Sequence, residues 1–248
     1  MPHGREGYGE VRATVSCHVE RPLDDQVWRL FARLQRRRPG GFAIAALIRP
    51  PDEKAGERWQ PWLDRVRAAA AHGPLGHHTH WTAPDHARPT GGDPAARVRA
   101  EGERLRAEGL RPTLFCGGGW YLDADVAEAA AELGYADCTA TAFRPGYLPP
   151  GAPRAELAEP ARLRLPSGRL LHELPSTHSL GAAARASLRA LPAYLHVYFH
   201  DTDLLARRRR WALVAALTTL GRRAARFDLD GLAARDAPER PWEAALGH

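Results

Sequence analysis

Lysine is almost absent from this chain, because Lys54 is the only lysine among 35 basic residues. Arginine carries nearly all of the positive charge, and with abundant alanine, glycine and proline this indicates the codon bias of a GC-rich genome rather than a functional choice. The arginine runs at 36–38 and 207–210 fall in segments that read as helices, and no aromatic residues interleave them as stacking platforms would. We therefore interpret them as solvated helix faces, and we expect no nucleic-acid partner despite the net charge of +6.

Cysteine is also scarce, and long apolar runs are missing. Cys17, Cys116 and Cys138 have no C-x-x-C spacing and cannot all pair, which favours a reducing compartment over a disulfide framework. The longest apolar stretches, at 42–48 and 211–220, are too short to span a bilayer, and the first 16 residues lack the apolar core of a signal peptide. These absences predict a cytoplasmic protein without a membrane partner, and they leave the oligomeric state open.

What the sequence does contain is a regular alternation of strand-like and helix-like segments. Strands are predicted at 11–19, 42–48, 112–116, 135–143 and 193–201, with a short one entering the histidine-rich stretch at 75–82 and a pair joined at Ser167-Gly168. Repeated strand–helix units imply parallel strands with helices outside. We predict one α/β domain at 11–236, a single distorted (β/α) barrel of about seven parallel strands, with loosely ordered segments at 1–10 and 237–248.

Polar residues collect at the carboxyl ends of the predicted strands, the edge at which α/β barrels build their sites. His18 and Glu20 end the first strand, and the period of two places them on one face, as it does His78 and His80 if their segment is extended. Histidines buried by chance would not choose this edge repeatedly, so we predict a functional site there. Its candidate residues are His18, Glu20, His78, His80, Cys116, Trp120, Tyr121, His178, His200 and Asp201.

The histidine-rich stretch reads LGHHTHWT and holds His77, His78 and His80. Neutral imidazole is a good ligand for Zn²⁺, and three histidines with one open position form a known catalytic zinc set. Because His18 is predicted at the same rim, we expect a divalent metal ion, zinc before others, bound by His18, His78 and His80. Glu20 in place of His18 is the alternative third ligand, and the sequence leaves it open.

The chain also carries a series of motifs in the order in which one enzyme family carries its own. The motifs read TVSCHVE, GHHTHWT, FCGGGWY and HVYFHD, with GHHT and YFHD the best matches. Over roughly 11–230 the chain thus resembles the polysaccharide deacetylases with a NodB homology domain, which are similar to carbohydrate esterase family 4. The resemblance implies a glycoside hydrolase/deacetylase-like barrel, a bound metal ion and removal of an N-acyl group from an amino sugar.

The motifs depart from the family pattern at positions that carry chemistry. His18 and Val19 stand where the family has its catalytic aspartate and a metal-binding aspartate. Thr82 stands at the family's second metal-binding histidine, for which His80 is the substitute, and Cys116 stands at its arginine. The resemblance therefore implies the fold and the general class of reaction, and the roles have to be assigned on this chain.

We predict a metal-dependent hydrolase of a non-peptide C–N bond, which removes an N-acyl group from an amino sugar or a related small molecule. The metal would polarise the acyl carbonyl and lower the pKa of the attacking water. Glu20 is the candidate base for that water and His200 the candidate acid for the leaving amine, with Asp201 or the backbone fixing the tautomer. Contacts with the small-molecule or carbohydrate substrate are assigned to Cys116, Trp120, Tyr121, His178 and Asp201.

Other interpretations stay open. Loss of the aspartate pair favours a catalytically inactive deacetylase-like barrel that binds a carbohydrate or a partner, and a weaker alternative is a metal-independent lyase or isomerase that uses the histidines directly. Trp120 and Tyr121 could instead pack in the core, and the cysteines could be small buried thiols. His196 lies two residues before Tyr198 on the inward face, where it could be a hydrogen-bonded interior histidine.

Overall fold

The structure, a computed structural model, describes residues 11–81, 89–146, 148 and 150–247. The expected loose ordering of 1–10 and the motif position Thr82 lie outside the described residues. Within these residues the chain forms a mixed α/β fold around one mostly parallel sheet. No helix in the described ranges is long and apolar enough to cross a membrane.

The sheet contains eleven strands, counted over the described residues. They are β1 (Arg12–Val19), β2 (Ile44–Ile48), β3 (Leu75–Thr79), β4 (Leu114–Gly117), β5 (Ala136–Asp137), β6 (Ala161–Arg164), β7 (Leu170–Glu173), β8 (His178–Ser179), β9 (Tyr194–His200), β10 (Ala225–Arg226) and β11 (Glu239–Pro241).

The strand order is β11–β6–β7–β5–β4–β3–β2–β1–β9–β8, with β10 beside β1. All of these pairs are parallel except β6 and β7, which are antiparallel. The predicted turn at Ser167-Gly168 joins these two strands, and Gly168 supplies a left-handed φ of 86° that a β-carbon would disfavour. β6 and β11 therefore run opposite to the other described strands, whose carboxyl ends lie along one edge of the sheet.

Helices connect the strands, as the alternation predicts, and side-chain caps mark where several of them begin. The Asp24 carboxylate accepts hydrogen bonds from the first backbone N–H groups of the first helix, and Asp93 caps the third, which starts at Pro94. The helices are α1 (Asp25–Arg37), α2 (Trp59–Ala70), α3 (Pro94–Ala107), α4 (Ala124–Glu132), α5 (Leu180–Ala186), α6 (Arg207–Leu220) and α7 (Leu229–Ala233).

β1 shows how the strand period divides the core into two sides. Val15 and Cys17 are fully buried in a cluster that includes residues of α1 and α6. Ser16 and His18 alternate with them and are also buried, on the opposite face. A separate apolar cluster on that inner face includes Leu47, Leu114, Cys116 and Cys138. His18, near the end of β1, is thereby directed inward, next to this apolar cluster.

The segment 170–179 changes its hydrogen-bonding partner along its length. Its first part pairs with β5, and Ser176 N–H still donates to the carbonyl of Ala140 at 2.8 Å. One residue later, Thr177 N–H donates to the carbonyl of His196 in β9 at 3.2 Å, and β8 continues that pairing. The segment thus contacts the β5 side of the sheet at one end and the β9 side at the other.

The tail is more ordered than the prediction for 237–248 allowed. β11 pairs with β6, and Trp242 and Ala245 are buried in the cluster that also holds Leu163. Pro238 and Pro241, which favour a loose tail, are tolerated here because β11 is an edge strand, where a missing N–H costs no ladder bond. The prediction of a loosely held tail is therefore wrong for 239–245.

Candidate metal centre

The site lies at the carboxyl-end edge of β3, β1 and β9. His78 lies in β3, His80 directly follows it, and His200 ends β9. His18 is opposite His200 in the β1–β9 register, and Glu20 follows β1. Period-two alternation directs these side chains to one side of the sheet, as the sequence predicts.

Glu20 is the centre of this group. Its Oε2 lies 2.5 Å from Nε2 of His80, and its Oε1 lies 3.3 Å from Nε2 of His78 and 3.8 Å from Nε2 of His200. Burial raises the pKa of Glu20, but hydrogen bonds from His78 and His80 outweigh it and leave the pKa well below its ordinary value. A carboxylate anion therefore lies among three imidazoles.

His78 has the tautomer that a metal ligand needs. Its Nδ1–H donates to the backbone carbonyl of Cys116 at 2.8 Å, because β3 and β4 place these two residues opposite each other. The other ring nitrogen, Nε2, faces Glu20. A backbone carbonyl that fixes the ring in this way is the usual outer contact of a metal-bound histidine.

His18 is buried, with 3% of its surface exposed. Its ring centroid lies 4.8 Å from that of His78 and 5.1 Å from that of His200. Burial lowers the pKa of His18 well below its ordinary value, and the neighbouring His78 and His200 lower it further. The ring is therefore a neutral imidazole, available as a ligand or as a hydrogen-bonding group.

Three sets of side chains could hold a cation, within the part of the chain that the structure describes. Their ligand atoms lie within 4.8 Å of one another, and the sets are Glu20–His78–His80, His18–Glu20–His200 and His18–His78–Cys116. His18 shares a set with His78 but none with His80, which differs from the predicted ligand triad of His18, His78 and His80. Glu20 reaches His80 instead, because its longer side chain extends beyond the end of β1.

His200 and Asp201 are separated by the turn that follows β9. His200 remains at the rim with 27% of its side chain exposed, and burial lowers its pKa. A short 3₁₀ helix begins at Asp201 and turns its carboxylate inward, where Oδ2 accepts the N–H of Arg21 at 2.9 Å. Asp201 is fully buried, and burial raises its pKa to about 6. Asp201 thus holds the backbone next to Glu20 in place, and its contact with substrate stays a prediction.

An aromatic wall closes one side of the histidine group. The Trp120 ring lies 5.6 Å from that of His18, 5.0 Å from that of Tyr198 and 5.5 Å from that of Phe143. Gly119 and Trp120 both have left-handed φ, of 59° and 60°, and this turn after β4 sets the ring toward the site. The period of two places Tyr198 on the same face as His200, whereas no local sequence pattern points to Phe143.

Tyr121 does not join that wall. Its O–H donates to Oδ2 of Asp123 at 2.5 Å, and its ring lies 5.6 Å from that of Trp81. Adjacent residues after a strand point in different directions, so Trp120 and Tyr121 could not both face the site. The structure thus assigns the inward position to Trp120 alone.

Cys116 and His178 are the remaining residues that are predicted to contact substrate. Cys116 is fully buried and its Sγ lies 3.8 Å from Nε2 of His18, so the thiol faces the histidines from below rather than a substrate. His178 is half-buried at the end of the sheet path, with Nδ1 2.9 Å from Oγ1 of Thr177, and it belongs to none of the possible cation sets. Burial lowers the pKa of His178.

Two further histidines have structural roles. Nε2 of His77 lies 2.9 Å from a carboxylate oxygen of Glu101 in α3, on the outer side of β3. His196 is fully buried, donates from Nδ1 to the carbonyl of Leu174 at 3.2 Å and accepts from the hydroxyl of Ser16 at 2.8 Å. The interpretation of His196 as a hydrogen-bonded interior histidine is confirmed.

Comparison with known proteins gives the fold and no family. No family model matches the chain, and no curated protein matches it. Among solved structures, a 4-alpha-glucanotransferase from Thermococcus litoralis superposes with a TM-score of 0.57 at 11% identity, over 92% of this chain and 39% of that chain. A family 4 carbohydrate esterase from Streptomyces lividans gives a TM-score of 0.49 at 13% identity, over 93% and 98%. The likeness to the glucanotransferase supports the mixed α/β fold, and this chain spans 39% of its length.

Proposed function

We propose that this chain is a metal-dependent hydrolase of a non-peptide C–N bond, which removes an N-acyl group from an amino sugar or a related small molecule. The observation that carries the proposal is the convergence of one carboxylate, Glu20, with His78, His80 and His200 at the edge of the sheet. Buried carboxylates and imidazoles that share one volume with an exposed rim are typical of catalytic metal centres. The motif resemblance to polysaccharide deacetylases supports the reaction class.

The fold we propose for this site is a distorted barrel of about seven strands. The support is the segment 170–179, which bonds to β5 through Ser176 and to β9 through Thr177. If the segment 170–179 counts as one strand between β5 and β9, it closes a ring with β1, β2, β3, β4, β5 and β9. In such a ring the rim residues of β1, β3 and β9 surround one opening, which suits a small substrate.

We assign the metal ligands to Glu20, His78 and His80. Their ligand atoms lie within 4.8 Å of one another, a spread that a single ion can bridge. His78 offers Nε2, since its Nδ1 is bound to the carbonyl of Cys116. A divalent ion in this position, with zinc as the first choice, would polarise the acyl carbonyl and lower the pKa of the attacking water. This assignment takes the alternative in which Glu20 replaces His18.

His200 is then the proton carrier. It is the most exposed imidazole of the group, and burial lowers its pKa, so the ring is neutral and can accept a proton. It takes a proton from water as oxygen attacks the acyl carbon, and it returns that proton to the nitrogen as the C–N bond breaks. The products are a carboxylic acid and an amine, and the imidazole ends as it began.

The aromatic wall gives the substrate side its character. Trp120, Phe143 and Tyr198 meet at ring distances of 5.0–5.5 Å and lie next to His18 and His200. Aromatic faces beside a few polar groups suit a ring with an apolar face and hydroxyl groups at its edge. An N-acylated amino sugar has this chemistry.

Elemental analysis and an assay of acetate release from N-acetylglucosamine test the proposal together. We expect purified protein to contain a divalent ion and to release acetate, and a His78→Ala/His80→Ala variant to lose both while it stays folded by circular dichroism. The exposed His72→Ala variant is the control and should keep both. Metal without turnover of any N-acylated sugar supports the inactive, binding barrel, and turnover after complete metal removal supports the metal-independent alternative.

A further inference from the structure

The thiol of Cys116 lies next to the group of histidines, on the side away from Glu20. The Sγ atom of Cys116 lies 3.8 Å from Nε2 of His18, and both side chains are buried. The ring of His78 lies 4.8 Å from that of His18, and the ligand atoms of these three residues lie within 4.8 Å of one another. The thiol also makes weak contacts with the carbonyls of Gly117 at 3.7 Å and Cys138 at 3.9 Å.

The approach of Cys116 to His18 is not a by-product of strand pairing. β1 and β4 are separated in the sheet by β2 and β3, so the two side chains meet across the inner space. On a tetrahedral zinc, a sulfur at about 2.3 Å and a nitrogen at about 2.1 Å lie roughly 3.6 Å apart. The observed separation of 3.8 Å is close to that value. His78 is the natural third donor, because it is opposite Cys116 in the β3–β4 register.

We infer that His18, His78 and the thiolate of Cys116 form a second cation position, on the Cys116 side of His78, which takes thiophilic ions such as Cd²⁺ and the probe ion Co²⁺. The inference deepens the proposed function, since it shares His78 with the carboxylate position. The thiol proton leaves to solvent as the sulfur–metal bond forms, and no electron is transferred. Thiolate donors favour softer cations, whereas the carboxylate of Glu20 favours harder ones such as Mn²⁺.

His78 makes the two positions exclusive. Its Nδ1 is bound to the carbonyl of Cys116, so only Nε2 can bind an ion. The same nitrogen faces Glu20 at 3.3 Å. An ion bound by His18, His78 and Cys116 therefore removes His78 from the position formed by Glu20, His78 and His80. The softness of the cation decides which of the two positions is filled. A thiophilic ion would in this way displace a harder one without contacting Glu20.

Cobalt spectroscopy tests the thiolate directly, whatever the protein's activity. We expect Co²⁺ added to the reduced protein to give the near-ultraviolet charge-transfer absorption of a cobalt–thiolate bond, lost in Cys116→Ser and weakened in His18→Ala. Cys138→Ser is the matched control, because Cys138 is equally buried directly after the neighbouring strand β5 and its loss should leave the absorption unchanged. Glu20→Gln should also keep it.

Absence of the absorption in the unmodified protein, or its survival in Cys116→Ser, overturns the inference. If Cys116→Ser does not fold, ¹¹³Cd NMR of the unmodified protein decides, because a thiolate ligand moves the cadmium resonance far downfield of a site with only nitrogen and oxygen donors. Failure of the proposed function is distinguishable: a cobalt–thiolate signal without turnover refutes the hydrolase alone. Turnover in a protein without that signal refutes the thiolate position alone.

Discussion

Glu20 and His80 are in direct contact, with Oε2 of the carboxylate 2.5 Å from Nε2 of the imidazole. If this carboxylate is a metal ligand, Glu20→Gln should weaken zinc binding by at least about 100-fold, because an amide carries no charge and is a poorer ligand. Competition with a chelator measures the affinity. Glu101→Gln is the matched control, because Glu101 contacts His77 on the outer side of β3, away from the proposed ion. This variant should keep its affinity for zinc. A variant that keeps its zinc and loses only kcat would make Glu20 the base, as the sequence predicts.

His200 should be required for turnover and dispensable for metal. We expect His200→Ala to lower kcat by a factor on the order of 10²–10⁴, with metal content unchanged, because a lost proton carrier costs this much. His72→Ala, at an exposed loop position, should have the activity of the unmodified protein. The substrate must have a poor amine leaving group, since a good one departs without a proton. Full activity of His200→Ala on such a substrate would refute the role.

The dependence of kcat/KM on pH should also reflect the titration of His200. The active form of His200 is neutral and burial lowers its pKa, so activity should persist below the ordinary imidazole range near 6.5 and fall only at more acidic pH. A profile of kcat/KM against pH between 4 and 8 measures this, with about tenfold loss per pH unit below the inflection. An inflection above 6.5 would contradict a neutral, buried imidazole as the proton carrier.

Trp120 should matter for substrate binding and Tyr121 should not. Trp120→Ala removes the ring that packs on His18 and Tyr198, and we expect kcat/KM to fall by roughly tenfold or more, the equivalent of about 1–2 kcal/mol. Tyr121→Phe removes only the hydrogen bond to Asp123 and is the control. Isothermal titration with the amine product separates lost binding from lost chemistry. Equal effects of the two substitutions would place the substrate elsewhere.

His196 should make stability depend on pH. Burial lowers its pKa to about 4, so the unfolded state binds a proton between about pH 6.5 and 4 that the folded state does not, and stability falls as pH falls through this window. From pH 7 to pH 5 this amounts to about 2 kcal/mol. Urea unfolding of the unmodified protein and of His196→Gln at both pH values measures it, and the stability difference between them should shrink at pH 5. A constant difference would contradict the buried neutral imidazole.

Glu173 should act in the opposite direction. It is opposite Asp137 in the β5–β7 register, and both carboxyls are fully buried. Burial and the neighbouring Asp137 raise the pKa of Glu173 well above its ordinary value, so its stabilising contribution is lost as pH rises. Glu173→Gln should therefore gain stability relative to the unmodified protein between pH 5 and pH 8, measured by urea unfolding. Exposed Glu103→Gln should show no such trend.

The sequence was informative wherever a residue's direction follows from local periodicity. Alternation along β1 directs His18 inward and Cys17 outward, and it holds for His78, His80 and His200 as well. It fails just past a strand, where the backbone turns. Asp201 follows β9 by one residue, and the 3₁₀ turn there buries the carboxylate against Arg21.

Contacts between strands that are distant in the sequence could not be predicted either. The nearness of Glu20 to His80, and of Cys116 to His18, depends on side-chain length and on the curvature of the sheet, and neither is visible in a period of two. The same holds for the edge strand β11, whose prolines suggested disorder although Trp242 anchors it in the core. The mostly parallel α/β fold followed from the alternation of segments, and these details did not.

The position of β1 between β2 and β9 has a consequence for synthesis on the ribosome. Its contacts with β2 are close in sequence, whereas Ser16 and His196 meet across 180 positions. Glu20, His78 and His80 all emerge within the first third of the chain, but His200 arrives near the end. Distant contacts form late because loop closure must precede them. On the proposed assignment, the nascent chain therefore gains the three ion ligands well before the proton carrier.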